Sequence, residues 1–300
     1  MSVQPQPESG VLPHLGVLRF VGPDAASFLQ GQVSNDTRLL AQGRSILAAY
    51  SSPQGRVLAL LRLLPHSSGV LALLPRELVM PTMQALGKFV LRAKVKIEDA
   101  SEALRIVGVH GADRLQSAGL AAPSSMAYAE PHEVGVAAVT GDPARYWVVA
   151  AEEKLAAHRL TGSVPSERIE RDWHLADIRA GLPQIYLATR EAFVAQMLNL
   201  DVLEAISFTK GCYTGQEIIA RTQHRGRIKR RLYRLLLPDG EWSVGQSLRL
   251  ADGRTGRLIE AVRVSAGVEA LAVLSVDAAE ADAEVGAAIA ATALPLPYAM

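Results

Sequence analysis

Apolar and polar positions recur with two different periods along this chain, and the switches between them predict its elements. Gly22-Pro23-Asp24 opens a helix, because proline suits a first helical position and an early acid favours the positive end of the helix dipole. Phe28 and Leu29 supply its buried side. Three β-rich runs follow at 45–50, 56–64 and 70–74. They are separated by Ser51-Ser52-Pro53-Gln54-Gly55 and His66-Ser67-Ser68-Gly69, which have turn chemistry, so the pattern predicts an antiparallel meander. Leu78, Val79, Met83, Leu86, Phe89 and Val90 then return at helical spacing, with Pro81 expected to kink or delay the helix.

From 104 to 160 the pattern reads strand (104–109), helix (112–118), two strands (134–140 and 145–150) and helix (152–160), a mixed α+β module. Residues 1–13 are rich in Pro and Gln and read as a loose arm, and 161–165 as a connector. A mixed stretch runs to about 230. Beyond it, short strands with turns at Pro238-Asp239-Gly240 and Ala251-Asp252-Gly253 predict a small β-barrel. The expected organisation is an N-terminal α+β part (1–100), a second α+β part (101–230) and a C-terminal β-barrel (231–300).

Composition narrows the class. Hydrophobic residues make up 49% of the 300 and charged residues 20%, which suits a folded chain with a sizeable core and excludes disorder. Only 5% of residues are aromatic, so that core is aliphatic. The single cysteine, Cys212, excludes an internal disulfide and any stable metal or cluster site built from this chain's own thiolates. A reducing, cytoplasmic setting is expected. The first residues lack a basic and then apolar leader, and no run approaches the ~20 apolar residues of a membrane span, so no membrane association is expected.

The most informative segment is Lys210-Gly211-Cys212-Tyr213-Thr214-Gly215-Gln216-Glu217, followed by Ile218-Ile219-Ala220. Thr214 and Glu217 have the spacing of a capping box, which predicts a helix starting at Gly215 with Cys212 just before it. A thiol at that place feels the helix dipole, and Lys210 or nearby arginines add to it, conditions that favour thiolate. The two glycines let the backbone approach a ligand. The competing reading, equally weighted on spacing alone, is an inert buried cysteine at an ordinary loop-to-helix junction.

Directly downstream, Arg221, Arg225, Arg227, Lys229, Arg230, Arg231 and Arg234 place seven cations within fourteen positions without an acid. The whole chain carries only +1, so this is a local feature on an otherwise acidic protein. It suits RNA phosphates or an acidic tail such as a polyglutamate. It suits equally a solvated connector pairing with acids such as the 277–284 run. Trp173 reads either as a packing anchor or as a ligand platform. The histidines lack metal-ligand spacing, and no P-loop, GxGxxG after a strand or GxSxG elbow is present.

The octapeptide at 210–217 resembles the signature of the YgfZ family, folate-binding relatives of the glycine-cleavage T-protein. The run Gly22-Pro23-Asp24-Ala25-Ala26-Ser27-Phe28-Leu29-Gln30-Gly31-Gln32-Val33-Ser34-Asn35-Asp36 is similar to that superfamily's first block. Ala180-Gly181-Leu182-Pro183 and the stretch 88–99 resemble two further blocks. The resemblance implies an α+β, three-part, ring-like T-protein fold with a central cavity for tetrahydrofolate and a C-terminal small β-barrel. It also implies a part in making or maintaining iron–sulfur enzymes, including those that thiomethylate tRNA, with an essential signature cysteine. Trp173 falls at the family's folate-contacting tryptophan, and a π-face stacked on a pterin is physically reasonable.

Two departures weigh against T-protein chemistry. Ala59 and Leu60 stand where the T-protein has its pair of acids, and neither accepts a proton. Arg179 stands where the T-protein has its pterin-binding glutamate. A further position, Leu15, stands where some relatives have an aromatic near the folate. The leading expectation is therefore a folate-binding accessory factor. In it Cys212 is the functional thiolate, transiently ligating iron, sharing a cluster or attacking a disulfide, and Lys210 steadies it. Gly211, Tyr213, Gly215, Gln216 and Glu217 shape the site. Two other functions stay open: a folate-dependent one-carbon (aminomethyl) transferase with Asp36 as its base, and a direct tRNA-binding protein using the Arg221 to Arg234 cluster.

Overall fold

The computed structural model describes residues 9–124, 127–130, 133–141, 143–161, 166–225, 227–277 and 288–300. In chain order the elements begin β1 (Ser9–Val11), β2 (Leu15–Val21), α1 (Ala25–Gln30), β3 (Ile46–Ser51), β4 (Val57–His66), β5 (Gly69–Pro75), α2 (Val79–Gly87) and β6 (Lys96–Asp99). Next come β7 (Arg105–His110), α3 (Ala112–Ser117), β8 (Tyr128–Ala129), β9 (Gly135–Val139), β10 (Arg145–Ala150), α4 (Glu152–Ala157) and α5 (Ser166–Ala180). The remainder is α6 (Gln216–Arg225), β11 (Arg230–Leu237), β12 (Ser247–Arg249), β13 (Thr255–Val264), β14 (Gly267–Ser275) and β15 (Thr292–Leu294).

The chain divides into two compact units. The first comprises Met1–Gln30, Asp36–Leu47 and Leu61–Trp173; the second comprises Gly31–Asn35, Ala48–Leu60 and His174–Met300. Strands β3 and β4 and helix α5 therefore each run from one unit into the other.

Among the described residues, three five-stranded sheets carry the fold, ordered β3-β4-β5-β2-β6, β1-β7-β10-β9-β8 and β12-β13-β14-β11-β15. The expected meander is present as the consecutive neighbours β3, β4 and β5. Pro81 does not kink α2, because it lies in the first turn, where its missing N–H is not needed. That helix ends at Gly87, so Phe89 lies outside it, 46% exposed. The N-terminal arm is also more ordered than expected. Residues 1–8 lie outside the described residues, but Ser9–Val11 pairs antiparallel with β7, and Leu12 is buried. Most of the 161–165 connector lies outside them too.

The second sheet of the first unit has a furrow, and two glycines make it. Gly10 of β1 faces Gly108 of β7, which faces Trp147 of β10. A Cβ at Gly10 would stand within van der Waals overlap of Ile169, and one at Gly108 would lie 2.5 Å from the Trp173 ring. Ile169 and Trp173, one turn apart on α5, drop their side chains into this space and are fully buried. On the opposite face Val107, Val109, Val136 and Val148 pack with Leu115 and Leu155 from the short helices.

In the second unit the C-terminal strands form an antiparallel sheet whose inner face, including Leu235, Leu237, Leu258, Ala270, Ala272 and Leu274, is buried. No helix among the described residues is long and apolar enough to cross a membrane.

Candidate functional site

The 210–217 loop belongs to the second unit and is held from beneath by a lysine. Lys210 is 5% exposed, and its ammonium donates to the carbonyls of Val33 (2.7 Å) and Asn35 (2.8 Å). It also lies 4.9 Å from the centroid of the Tyr213 ring. Burial pushes the Tyr213 hydroxyl up to about 12, so it stays neutral. The receiving segment is itself stitched down. Ser34 Oγ donates to Ala205 O (2.6 Å) and accepts from Ala49 N (2.8 Å), while the Asn35 amide donates to Glu204 O (2.8 Å). A buried ammonium is tolerated only when its protons find acceptors, and here carbonyls from a segment about 175 residues away supply them.

Above that anchor Cys212 is exposed. It is one of the residues lining a pocket of about 370 Å³, with Pro53 and the run from Tyr213 to Glu217. The helix entry differs from the expected capping box by one residue. Gly215 adopts φ +80°, a left-handed conformation, so α6 starts at Gln216. The reciprocal pair is then Tyr213 with Gln216: Gln216 N donates to Tyr213 O (3.2 Å), and Tyr213 N donates to Gln216 Oε1 (3.3 Å). Glu217 is exposed, as is Gly211. Glycine at 215 is required twice over, since a Cβ there would also lie 2.6 Å from Ser52 O and 3.0 Å from Gly55 Cα. The turn between β3 and β4 thus forms one wall of the pocket, a neighbour that reading the octapeptide alone misses; the glycine in each loop was its sequence signal.

The basic run beyond the loop does not form a single cationic face. Arg231 makes a bidentate pair with Asp201 (2.6 and 2.9 Å), and Arg234 pairs with Glu269 (2.7 Å). Arg227 pairs with Asp277 at 3.0 Å, the first acid of the expected acidic run; 278–284 lie outside the described residues. Arg221, Lys229 and Arg230 are exposed. Arg179 meets Glu269 from the other side through Nε (3.2 Å) and Nη2 (2.6 Å). Burial raises Glu269, but the two guanidinium groups outweigh it and hold its carboxyl below the ordinary value.

The other residues singled out from the sequence lie in the first unit, apart from Ala59 and Leu60, which are buried in the second-unit part of β4. Leu15 starts β2 opposite Pro75 and is partly buried. Asp36 accepts from Arg38 N (3.0 Å), capping a 3₁₀ turn, and pairs with the Arg38 guanidinium (2.6 Å). The hydrogen bond from Arg38 leads in lowering its carboxyl from 3.8 to about 2, which makes it a weak base at neutral pH. Because the folded value is the lower one, the Asp36 contribution is complete above about pH 4 and is lost as pH falls toward 2. Acid titration of Asp36→Asn should show that loss removed; with solvent screening of the exposed Arg38, the difference should be about 1 kcal/mol.

Trp173 is fully buried, with its ring against Gly108 and the Arg145 guanidinium 4.8 Å from its centroid. His110 meets it edge-on at 5.5 Å, and Trp147 lies 6.1 Å away with Arg62 over its own ring at 5.0 Å. The indole N–H groups of Trp173 and Trp147, both buried, find no acceptor among the described residues. Buried donors without acceptors are uncommon.

The tRNA-modifying protein YgfZ of Pectobacterium carotovorum subsp. carotovorum (strain PC1) is 33% identical to this chain over 302 residues, covering 93% of the chain and 87% of that protein. The chain belongs to the YgfZ family. The tRNA-modifying protein YgfZ of Yersinia pestis (strain Pestoides F) is 31% identical over 304 residues, covering 95% and 90%. Among solved structures, the glycine cleavage system aminomethyltransferase T from Bartonella henselae matches with a TM-score of 0.67 at 16% identity, covering 90% of this chain and 79% of that one. The α+β, T-protein-like fold expected from the sequence is therefore present. No protein-family model matches the chain.

Proposed function

We propose that this chain is a folate-binding accessory factor that supports iron–sulfur enzymes and, through them, tRNA modification, with Cys212 as its functional thiolate. The observation that carries this reading is the exposed Cys212 among the residues lining a pocket, in a loop pinned by buried Lys210. A sulfur held in place yet open to solvent is suited to ligating a soft metal or attacking a disulfide, whereas a buried one is inert. With one cysteine in the chain, any cluster would complete its ligands from a partner or a small thiol. An unpaired exposed thiol is suited to a reducing compartment such as the cytoplasm. The printed function of the curated relatives, tRNA modification, agrees with this reading.

A reduced folate belongs to the reading through the first unit. Trp173, at the position where the family has a folate-contacting tryptophan, has an indole N–H without an acceptor among the described residues, and its ring is closed in by Arg145, His110 and Trp147, so folate contact there would require those side chains to move. Bound there, tetrahydrofolate would supply a carrier for one-carbon units. Arg179, tied to Glu269, stands apart from pterin recognition in this account.

The test is genetic and chemical. In a strain lacking the native gene, the wild-type chain should restore tRNA thiomethylation, and Cys212→Ser should restore less than about a tenth of it while melting at the same temperature. Full restoration by Cys212→Ser would remove the thiolate from the account.

A further inference from the structure

Outside the loop and the tryptophan cluster, the segment after α2 is the most unusual surface of the molecule. Residues 78–97 contain Lys88, Arg92, Lys94 and Lys96 and no acid. All four cations are exposed, and so are Phe89 (46%), Leu91 (85%) and Met80 (47%). Lys96 is paired with Glu98, but Lys88, Arg92 and Lys94 have no acidic partner among the described residues. By contrast, Arg19, Arg76 and Arg105 in the same unit all reach carboxylates.

The backbone beneath these side chains is fixed. Phe89 N donates to Leu86 O (3.0 Å), Val90 N to Gly87 O (3.2 Å) and Leu91 N to Phe89 O (3.0 Å). Lys94 N donates to the Asp24 carboxylate (2.7 Å), and Asp24 N donates back to Lys94 O (3.4 Å). Gly22, at φ +126°, lets the chain come this close, since a Cβ there would lie 2.3 Å from Lys94 O. The protein thus holds an aromatic ring, aliphatic tips and uncompensated cations outward on a braced loop, so little ordering entropy is lost on binding.

From this surface we infer that the chain docks directly on RNA, with an unpaired base of a tRNA loop or end stacking on Phe89 while Lys88, Arg92 and Lys94 meet the phosphates. Charge complementarity favours a polyanion, and an aromatic face among cations is the usual platform for single-stranded nucleic acid. The apolar part consists of three exposed side chains, Met80, Phe89 and Leu91, set among the cations rather than an uninterrupted apolar face. This surface is distinct from the Arg221 to Arg234 run, where Arg231 and Arg234 are locked in ion pairs. The inference goes beyond the proposed function, which requires no contact between this chain and RNA.

Fluorescence anisotropy of the full chain with labelled bulk tRNA, from 50 to 200 mM NaCl, tests it. The triple variant Lys88→Ala/Arg92→Ala/Lys94→Ala should weaken binding at least tenfold at low salt and reduce the slope of log Kd against log salt by about 2, as expected for three lost phosphate contacts. Phe89→Ala should weaken binding about fivefold with the slope unchanged. Lys229→Ala/Arg230→Ala and Cys212→Ser should bind like wild type, so a failure of the thiolate reading stays separate from a failure here. Equal melting temperatures verify that the variants fold. The inference is overturned if tRNA does not bind, or if the triple variant keeps the wild-type Kd and slope. It is equally overturned if the triple variant loses only binding to phosphatidylglycerol vesicles, which would mark a membrane surface.

Discussion

Gly108→Val should lower the free energy of unfolding by about 3 kcal/mol, the upper part of the range for overpacking a tight core. The new Cβ alone would lie 2.5 Å from Trp173 Cε3 and 3.1 Å from Leu12 Cδ1, and both neighbours are buried at 1% exposure or less. Trp173 cannot swing aside, because Arg145, His110 and Trp147 close around it. The helix must instead lift off the sheet, and the Ile169 contact one turn earlier is lost with it. Urea denaturation followed by tryptophan fluorescence measures the effect. An unchanged midpoint would mean that the furrow is not the docking constraint described here.

Lys210→Met should cost about 2–3 kcal/mol and also remove function. Methionine fills most of the space but leaves the carbonyls of Val33 and Asn35 without the donor that both now share. The functional loss has a separate origin: without the clamp, the loop that presents Cys212 loses its tie to 33–35, and the thiol its fixed position. Lys210→Arg is a sharp companion, since a guanidinium fork does not match a site shaped for a compact ammonium. Chemical denaturation gives the stability, and amide exchange across 210–217 gives the loop. Exchange in that loop should rise in Lys210→Met but not in Cys212→Ser.

How far the sequence disclosed this molecule depended on the range of each interaction. The strands around 46–75 were legible because branched and aliphatic runs end in Pro, Ser and Gly, signals written within ten residues. The octapeptide was legible as a unit because its residues are neighbours in the chain. What Lys210 does was not, since its acceptors are backbone oxygens that any sequence at 33 and 35 would supply. The basic run shows the same limit. Seven cations within fourteen positions suit a phosphate-binding surface and an acid-paired connector equally, and the sequence does not show that Asp201 and Glu269 reach in from remote elements to neutralise two of them. The helix entry was misplaced by one residue because Thr214 and Glu217 satisfy the capping pattern locally, whereas the close approach of Ser52 and Gly55 dictates a left-handed glycine at 215. The end of α2 at Gly87 was hidden by Phe89 and Val90, which keep the helical period past the point where the chain turns.

The interleaving of the two units has a consequence for biosynthesis. Residues 31–35 and 48–60 are made early, but their partners lie far downstream: Ser34 waits for Ala205 and Val57 for Phe193. A ribosome that has delivered the first 150 residues holds a chain in which Val57 has β3 as its sheet neighbour but still lacks the 191–193 backbone that bonds to it. Such long-range closure slows folding and leaves a sticky nascent segment in the interval. The order of synthesis therefore leaves these backbone and side-chain groups waiting until the C-terminal half has emerged, and the nascent chain is expected to be open to chaperone binding in that interval.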